Sequence, residues 1–224
     1  MTGVDGVRSV ILHVARWARL MSAAERARRR DRVYQVVTLL LAALLLPLAL
    51  VVAPGRARRL AGRWALAIRF PTEDLTGLTP ETRAAFEAAR TRALWRHGEL
   101  IGLTSGHRPA EEQARLFAAA VRRSGSPEAA RRWVLPPQES RHVAGVALDV
   151  RPVEGARWLE RHGARHHLHR VYDNEWWHFE YLPGRPPDRL PHPGASRSRR
   201  PVGPSACAGT RPARSIRSSG CRPR

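Results

Sequence analysis

Two short clusters of histidine and acidic residues carry the side chains best suited to chemistry. The first contains His142 and Asp149, and the second contains Glu175 and His178. We predict His142 in a turn, Asp149 in the strand that follows it, and His178 at the start of another strand. Two strands lying side by side would bring His142, Asp149 and His178 around one point. Separately, each has a simpler interpretation, as a surface histidine, a strand-end carboxylate and a packed strand histidine.

Two histidines and one carboxylate suit a catalytic Zn²⁺ ion, which keeps its fourth position open for water. Such an ion lowers the pKa of that water to about 7 and polarises a carbonyl group under attack. A carboxylate that does not bind the metal must then take the proton and pass it to the leaving group. Glu175 is the best candidate, although it could also be a solvated turn residue. Glu180 is a weaker candidate, because we expect its side chain to point down the strand, away from the metal.

The stretch 78–182 predicts a mixture of helices and short strands around these residues. Thr79 followed by Pro80 is typical of a helix start, and Gly98 ends that helix. Further helices are predicted over 109–123, 127–133 and 154–162, and strands over 100–104, 146–150 and 177–182. Since the elements lack a regular βαβ rhythm, we predict an α+β fold: a small, mainly antiparallel sheet with flanking helices.

The net charge of +20 lies mostly outside this central stretch. All 39 basic residues are arginine, and residues 1–69 and 183–224 carry net charges of +10 and +9, against +3 for 80–182. A nucleic-acid-binding domain needs its arginines clustered on a folded face. The charge distribution therefore argues against a nucleic-acid partner.

An uncharged apolar segment over 36–53 is long enough to cross the hydrocarbon core of a bilayer. Arginines flank it almost equally, five over 26–32 and four over 56–63, so the positive-inside rule leaves its orientation open. An uncleaved membrane anchor is our preferred interpretation. A buried core helix and a secretory signal ending at Ala53 are the alternatives.

Three motifs, taken in order, resemble those of the VanY-type D-alanyl-D-alanine carboxypeptidases, zinc peptidases of the M15 group. They are Ser105-Gly106-His107-Arg108 with Gln113, Ser140-x-His142-x-x-Gly145-x-Ala147-x-Asp149, and Glu175-x-Trp177-His178. The sequence departs from the family at His107, where tyrosine is usual, and at Trp176, where proline is usual. The resemblance implies a small α+β zinc domain of the D-Ala-D-Ala carboxypeptidase and hedgehog-like type.

By this resemblance, His142, Asp149 and His178 bind Zn²⁺, and Glu175 acts as general base and then acid. Arg108 is implied to hold the substrate carboxylate or stabilise the oxyanion, and Ser140 and Gln113 are implied to make further polar contacts in the pocket.

The implied reaction removes the terminal D-Ala from peptidoglycan stem peptides that end in D-Ala-D-Ala. A D,D-dipeptidase, an L,D-carboxypeptidase, a peptidoglycan endopeptidase and a non-catalytic zinc wall-binding module are the alternatives. Because such a substrate lies outside the cytoplasmic membrane, the implied topology is a single-pass protein of the cell membrane with an extracytoplasmic catalytic domain.

These inferences divide the chain into five segments. They are a cytoplasmic basic lead over 1–35, a transmembrane anchor over 36–53, a linker over 54–77, the zinc D,D-peptidase domain over 78–182 and a tail over 183–224. The tail is rich in Arg, Pro and Ser and is predicted to be disordered. Four aromatic residues are predicted in the core: Trp95, Phe117, Trp133 and Trp158. The tract His166-His167-x-His169 is predicted to be a partly exposed loop or strand edge and not a metal site.

Overall fold

The structure is a computed structural model that describes residues 4–184 and 188–195. The predictions for the rest of the tail lie outside these residues. The helices are α1 (Val4–Val52), α2 (Ala57–Arg69), α3 (Pro80–His97), α4 (Ala110–Ser124), α5 (Pro127–Ala130) and α6 (Val153–His162). The strands are β1 (Gly102–Ser105), β2 (Ala147–Arg151), β3 (Leu168–Arg170) and β4 (His178–Tyr181).

The four strands form one antiparallel sheet in the order β1-β2-β4-β3. The α+β prediction is therefore confirmed. The register of β2 and β4 places Asp149 directly opposite His178, and Ala147 opposite Glu180. Since directly opposed residues of an antiparallel pair have neighbouring side chains, this register brings the second half of each motif cluster together.

Helix α3 packs against the sheet. It begins after Thr79 and ends at Gly98, as the sequence predicted. The hydroxyl of Thr79 accepts a hydrogen bond from the backbone N–H of Thr82, and Gly98 ends the helix with a positive φ of 66°. One face of α3 joins the main hydrophobic core, which includes Phe86, Ala89, Ala93, Ile101, Leu103, Leu148, Val150, Trp158, Leu159 and Phe179. This core holds β2 and β4 in place beneath the site.

Helix α1 runs without a break through the predicted lead and the predicted anchor. Its apolar half is the one described stretch long and apolar enough to cross a membrane, which fits a membrane anchor or a signal sequence. Helix α2 folds back along this half, and Ala42 and Ala49 are buried in its contact with α2. The other side is open, with Leu44 76% and Val51 83% exposed.

The segment predicted as a linker, 54–77, makes specific contacts with the domain. It contains α2 and, after it, Glu73, whose carboxylate forms a buried ion pair with Arg90 at 2.8 Å. The second oxygen of Glu73 accepts a hydrogen bond from the backbone N–H of Leu103 at 2.6 Å. A single acid thus ties the approach segment both to α3 and to β1.

We expect Glu73→Ala to lower the free energy of unfolding by about 3–5 kcal/mol, because it leaves the Arg90 guanidinium buried without its partner. Denaturation of the full chain, followed by tryptophan fluorescence, measures this change. Glu87→Ala is the matched control, since its pair with Arg83 is partly exposed and should contribute only about 0.3–0.5 kcal/mol. Equal losses in the two variants would contradict the assignment.

Part of the predicted tail also packs on the domain. Leu190 donates its backbone N–H to the carbonyl of Val171, and its carbonyl accepts from the N–H of Asp173 at 2.8 Å. The N–H of Asn174 donates to the carbonyl of Pro191. The segment 188–195 therefore braces the turn that precedes Glu175, which its composition alone did not indicate.

Candidate functional site

The structure brings the three predicted metal ligands together, with Asp149 and His178 on the two central strands of the sheet and His142 in the turn before β2. The nearest ligand atoms of His142, Asp149 and His178 all lie within 4.8 Å of one another. His142 Nε2 is 3.4 Å from Asp149 Oδ1, and His178 Nδ1 is 3.0 Å from the same oxygen. Both histidines are buried and Asp149 is half-buried, so the three donor atoms face one small volume.

These spacings fit a tetrahedral metal site. Nitrogen and oxygen atoms bound to Zn²⁺ at about 2.0–2.1 Å in a tetrahedron lie about 3.3 Å apart. The two contacts of Asp149 Oδ1 are close to that separation. Two imidazoles and one carboxylate leave the fourth position of such an ion for water or substrate. The chemistry and spacing of the donors therefore fit zinc.

His142 is fixed by the loops on either side of it. Its Nδ1 lies 2.7 Å from the carbonyl oxygen of Gly106, so the ring donates there and presents Nε2 to Asp149. The turn that carries His142 ends at Gly145, which has a φ of +68°, and a Cβ there would lie 2.4 Å from the carbonyl oxygen of Gly77. Only glycine meets both conditions, so Gly145 sets the position of His142 relative to β2.

Glu175 lies beside the three ligands, as its predicted role requires. Its Oε2 is 3.8 Å from His178 Nδ1, and the residue is buried. Burial raises the pKa of Glu175 to about 7, against a smaller lowering by His178. A carboxyl group with a pKa near neutrality is well matched to accepting and returning a proton.

Hydrogen bonds within the site favour the charged forms of Asp149 and His178. Burial alone would raise the pKa of Asp149, but its hydrogen bonds with His142 and His178 hold it well below its ordinary value. Burial alone would lower the pKa of His178, but hydrogen bonds with Asp149 and Glu180 raise it to about 9. An aspartate thus stays ionised between the two rings, ready to bind a cation.

Arg108 reaches the same cleft from the loop after β1. Its Nη1 donates to the side-chain oxygen of Gln113 at 2.7 Å, and its Nη2 donates to the hydroxyl of Ser105 at 3.0 Å. Gln113 in turn donates to the carbonyl of Leu135 at 2.6 Å and is almost fully buried. Gln113 therefore positions the Arg108 guanidinium by a buried hydrogen bond. The family resemblance had implied a different role for Gln113, a polar contact with the substrate.

The site opens into a cleft of about 340 Å³. The lining residues are Arg108, Gln113, Leu116, Trp133, Val134, Leu135, Ser140, Arg141, His142, Asp149, Tyr172, Glu175, Trp177, His178 and Pro193. Every residue that the sequence analysis assigned to the site lines this cleft. Pro193 lies in the packed part of the tail, so that segment contributes to the cleft wall.

The prediction that Trp133 is a core residue is wrong. Trp133 is 59% exposed and lines the cleft, whereas Trp158 is buried as predicted. Helix α5 ends at Ala130, so the helical periodicity that suggested a buried face does not extend to Trp133. The exposed indole instead forms an apolar wall beside the polar site.

Glu180 lies on the side of His178 that faces away from Asp149, in a contact that was not predicted from the sequence. Its carboxylate is buried, and Oε1 lies 3.4 Å from His178 Nε2. Side chains of a strand alternate between its faces, so residues 178 and 180 share one face of β4. The two-residue spacing of His178 and Glu180 on a predicted strand could therefore have indicated this contact.

The histidine tract after α6 is separate from this cluster. His166 lies in a short 3₁₀ turn and His169 lies in β3, the edge strand of the sheet. His169 therefore lies on an edge strand but is buried, whereas His166 is half-buried and His167 is exposed. Among the described residues, the metal-binding geometry is found at His142, Asp149 and His178.

Fold and site together define a small α+β domain with a candidate catalytic metal centre. The family model described as VanY, D-alanyl-D-alanine carboxypeptidase, matches residues 76–184, which include all three motifs. This match agrees with the resemblance of the three motifs and supports a metallopeptidase domain over these residues. No curated protein matches the chain.

Several solved structures resemble about half of this chain. A mutant of the vancomycin resistance D,D-pentapeptidase VanY from a VanB-type cassette, in complex with Zn(II), is 23% identical and has a TM-score of 0.43, over 49% of this chain and 76% of its own. The LdcB LD-carboxypeptidase is 30% identical with a TM-score of 0.40, over 47% and 66%. An L,D-carboxypeptidase DacB from Streptococcus pneumoniae is 27% identical with a TM-score of 0.39, over 48% and 67%.

Proposed function

We propose that the chain is a zinc-dependent D-alanyl-D-alanine carboxypeptidase that removes the terminal D-Ala of peptidoglycan stem peptides. The observation that carries the proposal is the convergence of His142, Asp149 and His178, with the Glu175 carboxylate 3.8 Å from His178. The match of residues 76–184 to the VanY family supports both the reaction and the substrate.

Three residues would hold the metal, His142 through Nε2, His178 through Nδ1 and Asp149 through its carboxylate. When bound there, zinc supplies the activation of water and the polarisation of the scissile carbonyl. Glu175 accepts a proton from the attacking water at a carboxylate oxygen and then delivers it to the departing amine of D-Ala. The burial of Glu175 helps this exchange, because it keeps the pKa close to neutrality.

Arg108 is positioned to bind the free carboxylate at the end of the substrate. A planar guanidinium binds a carboxylate through two parallel hydrogen bonds. The contacts with Gln113 and Ser105 hold this group in the cleft before substrate arrives. Ser140, which is buried in the cleft wall, is a further polar contact for the peptide. These contacts would select a chain end over an internal peptide bond.

The reaction is tested by incubating the zinc-loaded full chain with defined wall peptides and weighing the products. We expect a pentapeptide ending in D-Ala-D-Ala to lose one D-Ala, while the resulting tetrapeptide stays intact. Cleavage of the tetrapeptide would indicate an L,D-carboxypeptidase, cleavage of the free dipeptide a D,D-dipeptidase, and cleavage of cross-linked dimers an endopeptidase. Binding of the peptides without cleavage would indicate a non-catalytic wall-binding module.

We expect Arg108→Ala to lower kcat/KM about 10–100-fold, because a hydrogen bond to a charged group contributes about 1.5–3 kcal/mol. Steady-state release of D-Ala from the pentapeptide measures the change. Arg115→Ala, an exposed arginine of α4, is the matched control and should leave kcat/KM unchanged. A normal kcat/KM in the Arg108 variant would remove Arg108 from the substrate site.

We propose that the apolar half of α1 anchors the protein in the cell membrane, with the N-terminus in the cytoplasm and the domain outside. The exposed apolar side of α1 supports insertion into a membrane, and the orientation follows from the proposed wall-peptide substrate, which lies outside the cytoplasmic membrane. Helix α2 carries Arg58, Arg59 and Arg63 alongside the same half of α1. These arginines would be costly in the bilayer centre, so α2 cannot enter the membrane with α1. A transmembrane α1 must therefore replace its contacts with α2 by contacts with lipid.

A further inference from the structure

Glu180 is a buried acid that the proposed reaction does not use. Its side chain is only 3% exposed, yet it lies two residues after a metal-ligand candidate on the same face of β4. Buried carboxylates are rare unless they are paired or hydrogen-bonded. The partners of Glu180 therefore indicate its role.

The first partner is His178, through the ring nitrogen that faces away from the metal position. His178 Nδ1 lies 3.0 Å from Asp149, whereas its Nε2 lies 3.4 Å from Glu180 Oε1. Histidines that bind metals generally donate the N–H of their other ring nitrogen to a carboxylate or a carbonyl. His142 has the matching arrangement, with its second nitrogen at the carbonyl of Gly106.

The other partners hold the Glu180 carboxylate in place. Arg141 Nε donates to Oε2 at 3.1 Å, and the hydroxyl of Tyr172 donates to Oε1 at 3.3 Å. Opposite Glu180 on β2 lies Ala147, whose small side chain leaves room for this network. Arg141 also compensates the negative charge, so an ionised acid is retained beside His178 inside the domain.

We propose that Glu180 is a positioning residue of the metal centre, which accepts the Nε2–H of His178 and so directs Nδ1 to the metal. The inference rests on the proposed function, because it requires a metal at His142, Asp149 and His178. It assigns Glu180 to metal binding and not to proton transfer, which stays with Glu175. Arg141 acts through Glu180 in the same way.

The test measures the zinc affinity of the full chain by competition with a chromophoric chelator, independently of turnover. Glu180→Ala should weaken zinc binding about 10–100-fold, the usual effect of losing a hydrogen-bond partner of a ligand. Glu180→Gln should recover part of this loss, because its amide oxygen can still accept from Nε2 while the charge is gone. Glu160→Ala, which removes an exposed acid of α6 paired with Arg170 and Arg189, is the control and should bind like the parent.

Thermal unfolding of the metal-free variants separates positioning from a general structural role. We expect the melting temperature of metal-free Glu180→Gln to stay close to that of the parent while its zinc affinity falls. Unchanged zinc affinity in both Glu180 variants would overturn the inference, as would a loss fully explained by unfolding of the metal-free chain. Failure of the parent chain to bind zinc would overturn the proposed function instead.

Discussion

Replacing Glu175 with glutamine is expected to lower kcat about 10²–10⁴-fold while leaving zinc bound, because general acid-base catalysis contributes about that factor. Glutamine has the shape of glutamate but cannot accept the proton of the attacking water. The three metal-ligand candidates should remain in place, since the carboxylate of Glu175 lies 3.8 Å from His178 Nδ1 and is not one of the three candidates. Hydrolysis and metal binding should therefore separate in this variant.

Two measurements on the same preparation check this separation. Metal content after dialysis should be equal in the parent and in Glu175→Gln, and release of D-Ala from the pentapeptide should differ. Glu112→Gln, an exposed acid in the first turn of α4, is the matched control and should retain full activity. Parent-like activity in the Glu175 variant would exclude Glu175 as the base, and loss of metal would show that it acts as a ligand.

Replacing His178 with alanine is expected to abolish zinc binding and hydrolysis together. Losing only a hydrogen-bond partner of a ligand costs about 10–100-fold in metal affinity, so losing the ligand itself should cost more than about 100-fold. Asp149 should be at least as sensitive, because its Oδ1 faces both rings. Competition with a chelator measures the affinity, and D-Ala release measures the activity.

His166→Ala provides the control for this variant, because it removes a histidine of the tract that lies outside the cluster. It should keep both zinc and activity. A His178 variant that retains tightly bound zinc would contradict the ligand assignment. Hydrolysis by a zinc-free His178 variant would contradict the metal-dependent mechanism as a whole.

Removal of the metal should become easier as the pH falls. In the metal-free chain the pKa of His178 is raised to about 9, so at pH 7 this ring carries a proton that a metal must displace. Lowering the pH from 9 favours the protonated ring and therefore the metal-free state. Chelation at several pH values, followed by the loss of D-Ala release, measures this dependence.

The sequence was sufficient to predict the strands that carry the site, but not the register in which they pair. Alternation and turn residues predicted strands ending near Val150 and beginning near Trp177, and both exist within a few residues. The exact register that sets Asp149 opposite His178 depends on the β2–β4 pairing and the core beneath it. The motif spacing indicated that these residues belong together, whereas the distances come only from the tertiary structure.

The remaining differences come from contacts that composition does not encode. The tail is rich in Arg, Pro and Ser, which is typical of disordered segments, and segment 54–77 carries five arginines. Single interactions nevertheless order parts of them, namely the pair of Glu73 with Arg90 and the backbone bonds of Leu190. Trp133 differs in the other direction. Helical spacing predicted that it is buried, but α5 ends at Ala130 and Trp133 is exposed.

Anomalous scattering at the zinc absorption edge, from crystals of the full chain grown with zinc, tests the central claim most directly. We expect a peak at about 2.0–2.2 Å from His142 Nε2, His178 Nδ1 and a carboxylate oxygen of Asp149. The carboxylate of Glu175 should lie nearby without binding the ion. Zinc bound elsewhere on the chain, with these three side chains left unligated, would contradict the account.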